Sequence, residues 1–222
     1  MMQKHHKAFY KLIDTSQYRS ILALNGELPN RSFFDMSNLP IIAADGALNS
    51  LNMLGIVPRA VVGDLDTAKP NLLGNTEVVY MLDQNKCDFE KSLDYINKNT
   101  LSPAIIVGIS GGYIDHILNN MSIFLTSCNI FYAPPIVGYV IKTGEIKVFT
   151  LPINTKISLF GLSGARISTN GLKWELENHN LAFPGMNSSF NRTIKDNVLV
   201  EAHEGLSLIM VYLEKIEDWG GL

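Results

Sequence analysis

Short, nearly unbroken apolar runs alternate with amphipathic stretches along the first part of the chain. Ser20–Leu24 and Pro40–Ala44 are two such runs, closed by the turn pairs Asn25-Gly26 and Asp45-Gly46. Apolar runs this short, with no polar face, predict strands covered on both sides. Ala47–Leu54 instead carries its apolar residues at helical spacing and stops at Gly55, which predicts a helix with a glycine end. Strands follow at Ala60–Val62 and Glu77–Leu82, then a helix over Asp88–Asn97 with Phe89, Leu93 and Ile96 on its buried face. Ala104–Ile109 is the most apolar strand, followed by a helix over Tyr113–Ser127 and a last strand at Asn129–Tyr132. Strands alternating with helices predict βαβ units in a mostly parallel, Rossmann-like sheet.

The pattern changes at Ala133-Pro134-Pro135. Beyond it lie strand-like pieces only: Val137–Lys142, Ile146–Thr150, Lys156–Phe160, Ala165–Thr169, Leu172–Leu176, Val198–Ala202 and Leu206–Leu213. Glycine-containing turns such as Leu162-Ser163-Gly164 and Glu204-Gly205 separate several of them, which predicts an antiparallel all-β sandwich or barrel. The expected division is an α/β domain over residues 1–133 and a β-sandwich domain over 134–222.

Composition narrows the function without fixing it. With 222 residues, 46% hydrophobic and 18% charged, the chain has the make-up of an ordinary globular protein. A net charge of −3, with no run of Lys and Arg, argues against a nucleic-acid surface. No apolar run reaches the roughly 20 residues that span a bilayer, and no apolar stretch follows the basic start, so neither a membrane segment nor a signal peptide is expected. Two distant cysteines, Cys87 and Cys128, make neither a disulfide framework nor a zinc pair, and a cytoplasmic location follows as the expectation.

The candidate chemistry lies in five aspartates at strand ends and helix starts: Asp45, Asp64, Asp66, Asp88 and Asp115. Were the segment after Val62 extended, Asp64 and Asp66 would project to the same side. Adjacent carboxylates repel unless a cation lies between them, and a hard, oxygen-liganded Mg²⁺ that arrives with substrate phosphates suits them. A turn or N-cap role explains any one of these aspartates, but five at equivalent places less well. Ligands of open α/β sheets bind beyond the carboxyl ends of the strands, where these residues fall.

No P-loop and no Gly-x-Gly-x-x-Gly fingerprint is present. What remains is the turn Gly108-Ile109-Ser110-Gly111-Gly112, whose backbone N–H groups can approach an anion. Asp115, Asn119 and Ser122 then form a polar stripe at i, i+4 and i+7, with Ile114, Ile117, Leu118, Met121 and Leu125 left to supply the buried face. Asp88 and Lys91 share a helix face, either as an N-cap beside a surface lysine or as a metal ligand beside a phosphate contact.

These motifs, taken in order, resemble those of the thiamine pyrophosphokinases. The matching pieces are Ala44-Asp45-Gly46-Ala47, Gly63-Asp64-Leu65-Asp66-Thr67, Asp83-Gln84 with Asp88-Phe89-x-Lys91, and Gly111-Gly112-x-x-Asp115-His116. Gly171-Leu172-Lys173-Trp174 and Ser189-Phe190-Asn191 are similar to motifs of the family's second domain. The resemblance implies pyrophosphoryl transfer from ATP to the hydroxyl of thiamine, giving thiamine diphosphate and AMP. It implies a homodimer with the thiamine site between subunits. It further implies that Asp64, Asp66 and Asp88 hold Mg²⁺, that Asp45 supports the metal site, and that Gln84, Lys91, Gly111 and Gly112 contact the nucleotide. Asp115 and Asn119 would face the substrate, and Trp174, Ser189 and Asn191 would shape the thiamine pocket. Asp115, if free of metal, is also the candidate general base, because a metal-bound carboxylate is a poor one.

Two positions depart from the family pattern. Tyr113 stands where the family commonly has Arg, with Lys86 and Arg59 the candidate replacement donors. Phe190 stands where a small polar residue is usual. Trp174 is either a core residue of the sandwich or an exposed ring for a flat cationic substrate. The competing readings are a glycosyltransferase that uses Asp64-Leu65-Asp66 to bind a nucleotide sugar, and a non-catalytic thiamine- or nucleotide-binding module.

Overall fold

The computed structural model describes residues 2–214, which fall into two compact units. Residues 15–133 form one. The other joins residues up to Asp14 to the chain from Pro134 onward. In chain order the elements are α1 (Met2–Leu12), β1 (Ser20–Ala23), α2 (Arg31–Asp35), β2 (Ile41–Ala44), α3 (Ala47–Met53), β3 (Ala60–Gly63), β4 (Glu77–Tyr80), α4 (Asp88–Lys98), β5 (Ala104–Val107), α5 (Ile114–Thr126) and β6 (Ile130–Ala133). Then come β7 (Ile136–Lys142), β8 (Ile146–Thr150), β9 (Lys156–Asn170), β10 (His179–Leu181), β11 (Ser188–Arg192) and β12 (Asn197–Tyr212).

In the first unit six strands pair in the order β4-β3-β2-β1-β5-β6, every neighbour parallel. The expected α/β pattern is present, and its reason is burial: Ile21, Leu22, Ile42, Ile105 and Ile106 are wholly enclosed. The chain order reverses between β1 and β5, which places the switch point of the sheet beyond their carboxyl ends. There the two turns touch: a Cβ on Gly26 would lie 2.2 Å from the carbonyl oxygens of both Gly108 and Ser110. Only glycine permits that approach.

Helix α4 buries Phe89, Ser92 and Ile96, with Lys91 enclosed as well, while Leu93 is only half-buried. Helix α5 departs further from expectation. Phe124 is its one buried residue, packed edge-on to Phe131 with ring centroids 5.1 Å apart. Ile114 and Leu118, expected inside, are 76% and 61% exposed.

The second unit is β-rich and antiparallel, but it is not all-β and does not begin at residue 134. Helix α1 belongs to it, because Ala8, Phe9 and Ile13 are buried and give the helix an apolar face to pack. Two expected turns prove to be bulges within long strands. β9 runs unbroken through Gly164, and β12 through Gly205, with register shifts on either side of Glu204. Positive φ values at the two glycines, 75° in each, let the paired strands bend without ending. As a result β12 pairs with β8 along its first part and β7 along its last, and β9 pairs with both β11 and β10. The expected strand Leu172–Leu176 is a turn, pinned where Glu175 accepts the backbone N–H of Gly171 at 2.6 Å and of Leu172 at 3.0 Å. Residues 215–222 of the expected second domain lie outside the described residues. Among the described residues no helix is long and apolar enough to cross a membrane.

Candidate active site

Asp45 sits at the end of β2, nearly buried, with φ +35°, and its carboxylate points across to the loop after β3. One oxygen accepts the Ala68 N–H at 3.0 Å and the other the Thr67 N–H at 3.3 Å. Asn49 grips the same loop, donating to the Thr67 carbonyl and accepting from the Lys69 N–H, each at 3.0 Å. The loop therefore has its shape set from α3, and it carries Asp64 and Asp66.

Those two carboxylates do not converge by strand alternation. β3 ends at Gly63, and Leu65 takes φ +62°, so the chain turns between them. The turn still brings one oxygen each of Asp45, Asp64 and Asp66 within 4.8 Å of one another. Three hard oxygen donors in that space suit a divalent cation such as Mg²⁺. The set differs by one member from the expected one. Asp88 lies close by, since a Cβ on Gly63 would meet both Asp45 and Asp88, but its carboxylate is engaged by a lysine.

Lys91, on the buried side of α4, places its ammonium 3.2 Å from oxygens of both Asp64 and Asp88. Burial pulls the pKa of Lys91 down, but hydrogen bonds to the two carboxylates outweigh it and leave the group above its ordinary value. Asp64 is held below the usual carboxylate range, first by the Gln84 amide at 3.0 Å and then by Lys91. Burial pushes Asp45 and Asp88 the other way, with the Ala68 amide opposing it at Asp45 and Lys91 opposing it at Asp88.

Beside the carboxylates opens a cleft of about 640 Å³, lined from several strand ends at once by Asn25, Gly26, Asp45, Thr67 and Asp88, and from α5 and the turn before it by Gly111, Gly112, Asp115 and Asn119. Of the residues expected to meet nucleotide or substrate in the first unit, Asp45, Gly111, Gly112, Asp115 and Asn119 line this cleft, whereas Gln84 and Lys91 do not and instead bond Asp64. Asp115 is exposed there, its carboxylate bonded by the His116 N–H at 2.9 Å and outside the Asp45, Asp64 and Asp66 group. Asn25 and Thr67, which the sequence marks only as a turn residue and the end of the Asp64–Asp66 motif, also line the cleft. Tyr113 also lines the cleft, 80% exposed. Neither candidate replacement for the missing arginine reaches it. Lys86, just before α4, is paired with Asp94 of that helix, and Arg59 immediately precedes β3, at the strand end away from the site.

In the second unit Trp174 is 55% exposed, which removes the core reading. Its backbone is clasped by buried Asn191, whose side chain accepts the Trp174 N–H at 3.2 Å and donates to the Trp174 carbonyl at 2.7 Å. Lys173 lies over the indole at 4.7 Å. Ser189 is exposed, and it is Ser188 that Asn191 bonds. Phe190 is exposed at φ +55°, with the Lys156 ammonium 5.2 Å from its ring and 5.0 Å from that of Tyr212.

Comparison with known proteins agrees with these two halves. Residues 34–132 match the family model "Thiamin pyrophosphokinase, catalytic domain", and residues 145–207 match "Thiamin pyrophosphokinase, vitamin B1 binding domain". Thiamine pyrophosphokinase 2 of Arabidopsis thaliana is 26% identical over 176 residues, covering 67% of this chain and 63% of the relative. The chain therefore spans less than two thirds of that relative's length. Thiamin pyrophosphokinase 1 of Caenorhabditis elegans is 26% identical over 204 residues, 80% of this chain and 79% of the relative. Among solved structures, thiamine pyrophosphokinase from Bacillus subtilis superposes with a TM-score of 0.75 at 17% identity, over 87% of this chain and 98% of that one. The yeast enzyme gives 0.75 at 18% identity, over 91% and 88%.

Proposed function

The chain belongs to the thiamin pyrophosphokinase family, and we propose that it transfers a pyrophosphoryl group from ATP to the hydroxyl of thiamine, giving thiamine diphosphate and AMP. The carrying observation is the carboxylate cluster Asp45, Asp64 and Asp66 beside a cleft at the carboxyl edge of a parallel sheet, in a chain that matches both family domains in order. In this reading residues 15–133 are the Rossmann-like nucleotide half and the β-rich unit, a sandwich in outline, is the thiamine half.

Phosphoryl-type transfer depends on positioning and charge neutralisation. Asp64 and Asp66, with Asp45 or Asp88 as the third carboxylate, would hold Mg²⁺, which supplies charge neutralisation at the transferring phosphates. Lys91 keeps Asp64 and Asp88 apart in charge and presents a cation on the same side. Gln84 orients Asp64, while Gly111 and Gly112 offer backbone N–H groups to the polyphosphate. Asp115, apart from the cluster, is the carboxylate assigned to the thiamine hydroxyl, with Asn119 beside it in the cleft. Trp174, with Ser189 and Asn191, forms the thiamine wall, its exposed ring suited to a cationic heteroaromatic.

Homodimerisation, with the thiamine site completed between subunits, belongs to the same proposal. The exposed apolar residues Ile114 and Leu118 of α5 support it. Two unpaired cysteines support a reducing, cytoplasmic setting. Incubation of the purified protein with ATP, Mg²⁺ and thiamine tests the activity: thiamine-dependent AMP release is expected, and its absence would overturn the proposal. Neither the glycosyltransferase nor the non-catalytic reading gains an observation.

A further inference from the structure

A second cluster of reactive groups lies on the β-rich unit and plays no part in the proposed reaction. A groove of about 530 Å³ opens over β9 and β12, lined by Arg166, Ser168, Glu177, Asn178 and His203. Within it Ser168 Oγ lies 2.7 Å from His203 Nε2, and the Asn178 backbone N–H donates to the same Oγ at 2.8 Å. On the other side of the ring, His203 Nδ1 faces Glu201 Oε1 at 3.7 Å.

Glu201 biases where the ring proton sits. The Glu201 charge favours the proton on Nδ1, which leaves the Nε2 lone pair toward Ser168. In that tautomer Nε2 can only accept, so the Ser168 hydroxyl donates to it while its oxygen accepts the Asn178 N–H. Register and a bulge make the arrangement. Ser168 pairs directly with Glu201, and the shift after Ala202 brings His203 across toward it. A hydroxyl bonded to an imidazole, with a carboxylate behind the ring, is the arrangement of an activated nucleophile.

We propose that Ser168 is a reactive nucleophile toward small activated acyl esters, with His203 as its base. Ser168 Oγ bonds to the ester carbonyl carbon as its proton passes to His203 Nε2, and the leaving oxygen departs with the electrons of the broken C–O bond and takes that proton from His203.

Treating the full chain with p-nitrophenyl acetate, followed by peptide mapping, tests this without any variant: one acetyl group is expected on the peptide that carries Ser168. Ser168→Ala should abolish the acylation, and His203→Gln should slow it by roughly 10²-fold, the lower range for a positioned base. Both should leave thiamine-dependent AMP release unchanged. An unmodified Ser168 peptide in the wild type, acylation that survives Ser168→Ala, or a wild-type acylation rate in His203→Gln each overturns the proposal.

Discussion

Lys91 and Asp64 meet at 3.2 Å, ammonium nitrogen to carboxylate oxygen, with the lysine side chain only 3% exposed. An ammonium so enclosed costs several kcal/mol to desolvate unless paired, and Asp88 shares the pairing at the same distance. Replacing Lys91 with Met should therefore leave two carboxylates facing each other with only a metal ion to separate them. The expected result is a loss of at least about 10²-fold in kcat/KM for AMP release and a melting temperature that rises more steeply with added Mg²⁺ than in the wild type. A melting temperature equally insensitive to Mg²⁺ in both proteins would contradict the shared site.

Asp66 offers the cleanest test of the proposed metal site, because it is exposed and its side chain accepts the Thr67 hydroxyl. Asp66→Asn should change stability by no more than about 0.5 kcal/mol while weakening Mn²⁺ or Mg²⁺ binding measured by calorimetry. The same measurement on Asp45→Asn and Asp88→Asn decides which of the two completes the set. Unaltered affinity in Asp66→Asn would remove Asp66 from it.

Asp45 has a second job, accepting two backbone N–H groups of the loop that carries the other carboxylates. Asp45→Ala leaves those donors without their partner and should lower unfolding free energy by about 1–3 kcal/mol. Asn49→Ala acts on the same loop from the next turn of α3, so the two effects should fall short of additive in a double-mutant cycle. Strict additivity would mean that the loop is not held as one piece.

The acid limb of stability follows from Asp64. Its folded-state pKa is lowered, so its contribution is present above the unfolded-state value and is lost as pH falls through the folded one. Asp88 and Asp45, raised by burial, act with the opposite sign: their contribution is present below the unfolded-state pKa and is lost as pH rises through the folded one. In metal-free buffer, urea titrations below about pH 4 should show wild-type stability falling more steeply than that of Asp64→Asn. Parallel curves would rule out the Gln84 and Lys91 hydrogen bonds as the cause.

Trp174 and Asn191 divide the labour in the second unit. Trp174→Ala removes a half-exposed ring and should raise the KM for thiamine much more than that for ATP, with little change in stability. Asn191→Ala removes the clasp on the Trp174 backbone, and should cost about 1–3 kcal/mol besides raising the thiamine KM. Equal effects of Trp174→Ala on both substrates would take the ring out of the pocket.

Much of the first unit was legible because a strand covered on both faces must be apolar throughout. Runs such as Ile105–Val107 admit few other fates, and the aspartates that close these runs fall at the carboxyl edge for that reason alone. The second unit was less legible. A glycine that ends a strand and one that bends it leave the same mark in a sequence, so Gly164 and Gly205 read as turns. Helix α1 was placed by contacts between distant segments, and no local pattern assigns residues 2–12 to the later half of the chain.

By itself the sequence determined the alternation of elements and the residue types at strand ends, since both follow from local periodicity and backbone preference. Tertiary structure decided the partners. Leu65 in a left-handed conformation, not strand alternation, turned Asp64 toward Asp66, and packing of α4 against the sheet carried Lys91 between Asp64 and Asp88. The clasp of Asn191 on Trp174 and the meeting of Ser168 with His203 were decided in the same way. Such pairings join residues far apart in the chain, and the free energy that selects them exists only once the intervening segments have packed.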